Sequence, residues 1–257
     1  RSETKKQEKT SFKQMVDVIR KNDQLIIAIL TILTFNFAIN CINGVQTYYF
    51  IYVTGDKGLF SIFTMFAAFA EIFGLIIFPK LAKKISKTQV YFFASGIPVI
   101  GLIVLFIAGI VAPQSYILTA IAGICVKLGS GLQLGTVTVV LADVVEYGEY
   151  KLGTRNESVI FSIQTLLVKF ASAMGALFTG FALDATGYIP DAVQSASTLN
   201  GMRIIMIGLP IIFVILSFII YKKYYKLNSE YMNRIINIIY LKKTEANEDD
   251  INNEFEL

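Results

Sequence analysis

The amino-acid sequence predicts an all-α membrane protein with six transmembrane helices. Hydrophobic residues make up 54% of the chain, aromatic residues make up 13%, and the mean hydropathy is +0.60. These values lie above those of soluble domains. Apolar runs of about 20 residues, which can cross roughly 30 Å of hydrocarbon, recur along the sequence, whereas the short alternating segments of a membrane β-barrel do not.

Each apolar run ends at charged or turn-forming residues. The predicted spans are Leu25 to Val53, Ser61 to Leu81, Tyr91 to Val111, Ser115 to Ala142, Ser158 to Leu183, and Met202 to Tyr221. Several contain Gly, Pro or β-branched residues that weaken a helix in water. In lipid the backbone must satisfy its own hydrogen bonds, so a helix is expected for each run. Residues 25–221 are therefore the expected six-helix bundle.

Polar segments flank this bundle on both sides. In residues 1–24, helical spacing of Phe12, Met15, Val16 and Ile19 predicts a short helix on the membrane surface, with a plain linker as the alternative. Residues 222–257 form a tail whose acidic end, TEANEDDINNEFEL, is expected to be disordered. The chain starts at Arg1 rather than Met, so we expect it to be a piece of a longer protein.

Basic residues set the expected orientation. Lys and Arg concentrate in residues 1–24, in the second and fourth connections, and after Tyr221. The alternate connections contain only Lys57, with Arg203 at the edge of the last run. By the positive-inside rule both ends are cytoplasmic, and a multi-pass location in a cell membrane, such as the bacterial inner membrane, is expected.

Missing residue types narrow the chemistry. The chain contains no His, which excludes His-based catalytic triads and zincin sites. Cys41 and Cys125 fall within apolar runs and are expected to be small buried residues rather than a disulfide or metal pair. No phosphate-binding G-x-x-x-x-G-K-[ST] motif occurs. We expect no cofactor, no metal site and no nucleic-acid partner.

Polar residues recur at helical spacing in four of the six runs. The fifth run carries Ser158, Ser162, Thr165, Lys169 and Ser172; the first carries Asn36, Asn40, Asn43 and Thr47; the fourth carries Lys127, Ser130, Gln133 or Leu134, and Thr138; and the second carries Glu71. The third and sixth runs are almost entirely apolar. This pattern predicts four helices facing a water-filled cavity and two facing lipid. Hydrogen bonding by Ser and Thr within a tight bundle is the alternative.

Three charged residues fall near mid-membrane. Lys169 lies about 18 Å from the start of its run at 1.5 Å per residue, where an unsolvated charge costs at least about 3 kcal/mol. Glu71 and Lys127 are similarly deep. One interpretation is a static ion pair of Glu71 with Lys127 or Lys169. The other is an ion or substrate pathway, in which neighbouring Asn and Ser side chains suit a ligand rich in hydroxyls.

The connection between the fourth and fifth runs, DVVEYGEYKLGTR, is strongly charged. Its acids could be catalytic carboxylates, but a loop at the membrane surface offers no substrate pocket around them. A solvated charged loop and a polar hinge between two helices are the other interpretations. The charged residues are Asp143, Glu146, Glu149, Lys151 and Arg155.

The longer segment LADVVEYGEYKLGTRNESVIFSIQTLLVKFASA resembles the region joining the tenth and eleventh helices of the glycoside-pentoside-hexuronide:cation symporters, and SIQTLLVK is closest to the melibiose carriers. The resemblance covers residues 10–240 and implies the C-terminal six-helix half of a major facilitator fold. It implies that the N-terminal half precedes this chain. In that fold the first, second, fourth and fifth helices of each half approach the cavity.

The resemblance also implies residue roles. Lys169 is similar to the lysine near the cation site, and Gln164 and Thr165 fall where the eleventh helix lines the sugar pocket. Leu134 stands where melibiose carriers have a sugar-stacking aromatic residue. The charged connection becomes a cytoplasmic gate with ion pairs from Lys151 and Arg155. The complete expected site for substrate and cation coupling is Lys169, Thr165, Gln164, Ser162, Lys127, Glu71, Asn40 and Asn43.

The expected function is sugar (glycoside):cation symport by alternating access, with Na⁺ or H⁺ as the co-transported ion. A non-transporting membrane scaffold or sugar sensor with the same fold is an alternative. An intramembrane enzyme using Glu71 would need a second fixed polar group beside it, and the sequence offers no His or paired acid in that run. The sugar, the ion and the direction of transport stay open.

Overall fold

A computed structural model describes residues 12–255, with side chains described for residues 15–244. All regular structure in this range is helical. The helices are α1 (Phe12–Lys21), α2 (Asp23–Tyr48), α3 (Lys57–Lys84), α4 (Lys87–Val111), α5 (Tyr116–Leu152), α6 (Glu157–Ala185), α7 (Ala196–Arg203), α8 (Leu209–Tyr224) and α9 (Ser229–Phe255). Single π-helical turns, Tyr49–Val53 and Ile204–Gly208, extend α2 and join α7 to α8.

Six of the helical segments are long and apolar enough to cross a membrane, which confirms the predicted fold class. They are Asp23–Val53, Lys57–Lys84, Lys87–Val111, Tyr116–Leu152, Glu157–Ala185 and Ala196–Tyr224. The largest difference from the predicted boundaries is at the end of α5. This helix continues ten residues past Ala142, because the charged segment that follows keeps helical hydrogen bonding up to Gly153.

Local sequence explains where the helices begin and end. The side chains of Asn22, Asp56, Ser86 and Ser115 accept hydrogen bonds from backbone N–H groups in the first turns of α2 to α5. Gly153 ends α5 with a φ of 72°, a left-handed conformation that glycine adopts without steric cost.

The transmembrane helices form two layers. In the front layer α3 packs on α5, α5 packs on α2, and α2 packs on α6, which gives the row α3, α5, α2, α6. In the back layer α4 packs on α5 and α8 packs on α2, and α4 and α8 contact each other. The exposed side of the row, opposite α4 and α8, is called the front face below.

Glycines allow α5 to approach both of its main neighbours closely. A Cβ atom on Gly131 would lie 2.1 Å from the carbonyl oxygen of Glu71, and one on Gly74 would lie 2.5 Å from that of Leu128. On the other side of α5, a Cβ on Gly129 would lie 2.2 Å from the ring of Pro98. Small residues at helix contacts are typical of membrane bundles, where close backbone packing replaces the hydrophobic effect.

A buried polar network joins the two layers. Gln133 Nε2 donates to Tyr91 Oη at 3.0 Å, Tyr91 Oη lies 2.6 Å from Ser217 Oγ, and Ser217 Oγ donates to the Thr31 carbonyl at 2.9 Å. Of the two residues expected for this position of the polar stripe, Gln133 or Leu134, Gln133 is buried against α4 and Leu134 is exposed. The third and sixth runs are also less simple than predicted, because each contributes a buried hydroxyl to this network.

Both flanking helices pack against one end of the bundle. Val18 of α1 and Met232, Ile235 and Ile239 of α9 belong to the same buried core cluster as the ends of α2, α5 and α6. A helix does begin at Phe12, where a short helix on the membrane surface was expected; Val18, which was not among the residues expected to anchor it, is buried, and Met15 and Ile19 pack against the same cluster. This end of the bundle, where α2, α4 and α6 begin and α3, α5 and α8 end, is called the charged end.

The tail differs from its prediction. The acidic segment after Lys243 was expected to be disordered, whereas α9 continues through it to Phe255. The sequence from Ser229 contains no Gly or Pro, so nothing interrupts the helix that begins on the apolar residues packed against the bundle. The part of the expected linker before Phe12 lies outside the described residues.

Candidate functional site

The polar residues of α2 lie on the front face. Asn43 and Thr47 are exposed, and Asn36 and Asn40 are half-buried. At about 100° per residue, the stripe lies about 140° around α2 from Thr31, whose carbonyl binds α8 in the back layer. The amide groups of Asn36 and Asn40 donate to carbonyls one turn earlier in α2, so their side-chain oxygens remain available as acceptors.

The polar stripe of α6 is also exposed. Ser158, Thr165, Lys169 and Ser172 are exposed and Ser162 is half-buried. Ser162 and Thr165 donate to carbonyls four residues earlier, at 2.7 and 3.0 Å. Lys169 makes no ion pair or side-chain hydrogen bond with any residue whose side chain the structure describes. The deepest positive charge of this helix is therefore presented outward.

The contacts between α2 and α6 show that both stripes open to the same side. Gly175 of α6 faces Asn40 of α2, and Thr179 faces Gly44. Viewed down its axis, α2 carries its stripe about 60° in one sense from the residues that contact α6. On α6 the stripe lies about 80° in the opposite sense from the residues that contact α2. The two helices start at the same end and run parallel. Offsets of opposite sense therefore place the two stripes on the same side of the helix pair. Asn36, Asn43 and Lys169 thus border one groove.

Gln164 does not share this groove. It lies five residues before Lys169, which is about 140° around α6. Its side chain is half-buried on the same side of the helix as Ala171, which is buried. The geometry therefore groups Thr165 with Lys169 and separates both from Gln164.

Glu71 and Lys127 form an ion pair between α3 and α5. Lys127 Nζ lies 3.4 Å from Glu71 Oε2, and the side chains are 17% and 41% exposed. Of the two pairings predicted for Glu71, the structure contains the one with Lys127. Lys127 shares a face of α5 with the exposed Leu134 and Thr138, about 160° from Gly129 and its contact with α4. This face therefore also belongs to the front.

At the charged end, Asp143 is enclosed rather than part of a loop. It is only 7% exposed, and its Oδ2 accepts from Lys87 Nζ at 2.6 Å and from Tyr225 Oη at 2.9 Å. Burial, together with the adjacent Asp143 charge, raises the pKa of Tyr225 well above its usual value. The Tyr225 hydroxyl therefore stays protonated and donates to the carboxylate. Asp143 connects the end of α5 to the start of α4 and the end of α8.

Arg155 gathers the remaining acids of the segment. Its guanidinium lies 2.9 Å from Glu146, 3.0 Å from Glu149 and 3.0 Å from Glu157. Glu157 and the other two carboxylates raise the pKa of Arg155, so it is charged at every physiological pH. Glu149 also binds Lys243 of α9 at 2.6 Å. The cluster fixes the short turn between α5 and α6 and attaches α9 to it.

Lys151 pairs with a residue that sequence reasoning missed. Its Nζ lies 2.5 Å from Asp23 Oδ1 at the start of α2, and Tyr147 Oη donates to the same oxygen at 2.9 Å. The charged end is completed by five residues that lie outside the DVVEYGEYKLGTR segment: Asp23, Lys87, Glu157, Tyr225 and Lys243. All of them except Lys243 lie at helix ends, and that position was the signal available in the sequence. Which residues pair with one another depends on the packing.

Sequence comparisons show that the chain is similar to known sugar transporters. The chain matches the lactose permease of Lactobacillus delbrueckii subsp. bulgaricus (27% identity over 84% of this chain and 34% of the permease). It also matches the raffinose carrier protein of Pediococcus pentosaceus (28% identity; 88% and 35%) and the isoprimeverose transporter of Lactiplantibacillus pentosus (29% identity; 79% and 41%).

The chain therefore spans between about a third and two fifths of the length of these three relatives. A family model described as MFS/sugar transport protein matches residues 1–229. The match covers the two-layered bundle, its front face and all of the charged end except Lys243. The chain belongs to the MFS/sugar transport protein family.

Proposed function

We propose that the chain is the C-terminal six-helix half of a secondary active transporter that carries a sugar or glycoside together with a cation. The family match and the sugar-transporting relatives support the substrate class. The proposed boundaries are a linker at 1–24, a transmembrane bundle at 25–221 and a tail at 222–257. A preceding N-terminal half and the lipid bilayer are the expected structural partners.

In this proposal the front face lines the central cavity and the charged end is cytoplasmic. The front face carries amide and hydroxyl groups from Asn36, Asn43, Thr47, Thr165 and Ser172. These groups can replace the water molecules that form hydrogen bonds with the sugar hydroxyls in solution. The back layer, α4 and α8, then faces lipid. Rocking of this half against the preceding one exposes the front face to each side of the membrane in turn.

The position of Lys169 is the main observation that supports the proposal. Its ammonium group projects from the middle of α6 onto the front face, about 18 Å along the helix, with no partner among the described side chains. A cation at this depth needs water or an anion. In the complete transporter, carboxylates of the preceding half that bind the co-transported Na⁺ or H⁺ would supply the anion. Lys169 then couples occupation of the cation site to the sugar site by electrostatics.

The charged end supplies the proposed gate. Asp143, Glu146, Glu149, Lys151 and Arg155 are all paired within this chain. Their role is to hold the ends of α2, α4, α5 and α6 in one rigid surface. That surface closes against the preceding half when the cavity opens outward.

The test is uptake of labelled α-galactoside, β-glucuronide and xyloside by cells expressing the complete reading frame, with and without a Na⁺ or proton gradient. The variants are Lys169→Ala and, as a matched control, Lys57→Ala at the exposed start of α3. We expect cation-stimulated uptake of one sugar, lost in Lys169→Ala and kept in Lys57→Ala, with both proteins reaching the membrane.

Two results would count against the proposal in different ways. Stimulated uptake that survives Lys169→Ala would keep symport but remove Lys169 from the coupling. No uptake of any sugar under either gradient would remove transport of these sugars and favour a scaffold or sensor.

A further inference from the structure

The ion pair between α3 and α5 is the one charge pair of the described residues that lies deep in the bundle. At 1.5 Å per residue, Glu71 is about 21 Å from the start of α3 and Lys127 about 17 Å from the start of α5. Both are near the middle of a hydrocarbon layer about 30 Å thick. A pair at that depth must have its remaining hydrogen-bonding capacity met to offset desolvation.

The pair leaves much of that capacity unused. It consists of one contact of 3.4 Å between Lys127 Nζ and Glu71 Oε2, whereas the ion pairs of the charged end lie at 2.5–3.0 Å. Glu71 Oε1 and the other Lys127 N–H groups bind no residue whose side chain the structure describes. With 41% of the Glu71 side chain exposed, its free oxygen is accessible from the front face.

The backbone beneath the pair is fixed. Gly131 and Gly74 bring α3 and α5 so close that a single Cβ would clash with the opposite backbone at 2.1 and 2.5 Å. The carboxylate and the ammonium are thus held on a rigid base. Preorganised polar groups of this kind bind a ligand with little reorganisation.

The geometry points to a second binding subsite, formed by Glu71 and Lys127, that takes a pair of adjacent hydroxyls of the transported sugar. This inference rests on the proposed function. The free carboxylate oxygen accepts from one hydroxyl, and the ammonium donates to the oxygen of the next. The pair is neutral overall, so the subsite suits an uncharged part of the sugar and leaves Lys169 to respond to the cation.

The subsite also gives the sugar an orientation. Leu134 and Thr138 lie on the same face of α5, about 10 and 17 Å further along the helix from Lys127. A sugar held by its hydroxyls at the pair therefore extends along α5 towards the apolar side chain of Leu134. Glu71 and Lys127 would set which hydroxyl pattern is accepted.

The experiment measures equilibrium binding to the complete transporter in proteoliposomes. The probe is whichever of α-galactoside, β-glucuronide and xyloside binds the wild type tightest, with its set of monodeoxy analogues. We expect removal of one particular hydroxyl to weaken wild-type binding about 10- to 100-fold, the range for a hydrogen bond to a charged group. Glu71→Gln should weaken binding of the parent sugar by a similar factor. This variant should then bind the parent sugar and that analogue with equal affinity.

Lys127→Gln provides a second variant in case Glu71→Gln does not fold, and it should reduce the same discrimination. Lys57→Ala should keep it, because Lys57 lies at the exposed start of α3, about 21 Å along the helix from Glu71. The inference is overturned if both pair variants weaken the parent and every analogue by one common factor, or if they leave binding unchanged. No saturable binding of any probe by the wild type would instead refute the proposed function.

Discussion

Gly131 sets the distance between α3 and α5, and Gly131→Ala tests whether that distance matters. The added Cβ would lie 2.1 Å from the Glu71 carbonyl oxygen and 3.0 Å from the carbonyl carbon and from Leu75 N. All three atoms are backbone, so no side chain can rotate away. A carbon approaches a carbonyl oxygen to about 3.3 Å at closest, so the helices must separate locally by about 1.2 Å.

The expected loss follows from that displacement. Overpacking a tight site typically costs 1–3 kcal/mol, and a clash with backbone belongs at the upper end, about 3 kcal/mol. Ala favours a helix over Gly by about 1 kcal/mol. The free energy of unfolding should therefore fall by about 2 kcal/mol.

The assay is unfolding of the purified complete protein in mixed micelles with increasing SDS, followed by circular dichroism. Gly96→Ala in α4 is the matched control, because no atom lies within 4 Å of its ideal Cβ position. That variant should be neutral or stabilised by up to about 1 kcal/mol. Equal free energies of unfolding for Gly131→Ala and Gly96→Ala would refute the inference that close backbone packing fixes α3 on α5.

Three further predictions concern other parts of the bundle. Tyr91→Phe removes the hydroxyl that joins α5 to α8 and should lower the free energy of unfolding by about 1–3 kcal/mol, since Gln133 is left buried without its acceptor. Asp143→Ala should cost about 3 kcal/mol, because Lys87 loses its partner in a largely enclosed site. Gly153→Ala should cost roughly 1 kcal/mol, because φ is 72° there. The SDS unfolding assay measures all three.

The first two of these variants have a matched control in the same chain. Tyr224→Phe changes an exposed tyrosine and should have no measurable effect. Glu230→Ala breaks a pair whose side chains are 72% and 78% exposed, and should change stability by less than about 0.5 kcal/mol. A Tyr91, Asp143 or Gly153 variant as stable as the control substitutions would contradict the corresponding contact.

Much of the fold could be predicted because membrane burial leaves a strong local signal. Runs such as Tyr91 to Val111 are recognisable from hydropathy alone, and the structure places α4 there, beginning four residues earlier at Lys87. The end of α5 was harder to place. Asp143, Glu146 and Glu149 look like a loop by polarity, yet the helix continues through them because their charges are compensated by partners elsewhere in the chain.

The candidate site, like the fold, could be predicted from the sequence only in part. The stripe Thr165, Lys169 and Ser172 is a property of helical spacing, so sequence predicted its common face. Gln133 and Gln164 show the limit of that reasoning, since a polar residue in an apolar run can face a neighbouring helix as well as water. Only packing decides which it is: α4 lies beside Gln133, while Gln164 is turned about 140° from Lys169.

The sequence by itself determined that the chain lies in a membrane, how many spans it has and which family it resembles. Hydropathy, helical period and local motifs depend on residues near one another in the chain. The tertiary structure decided which charges meet. Glu71 pairs with Lys127, Asp143 with Lys87 and Tyr225, and Asp23 with Lys151, across 56 to 128 residues of sequence. Such contacts form only when close packing at glycines and the order of the helices bring distant segments together.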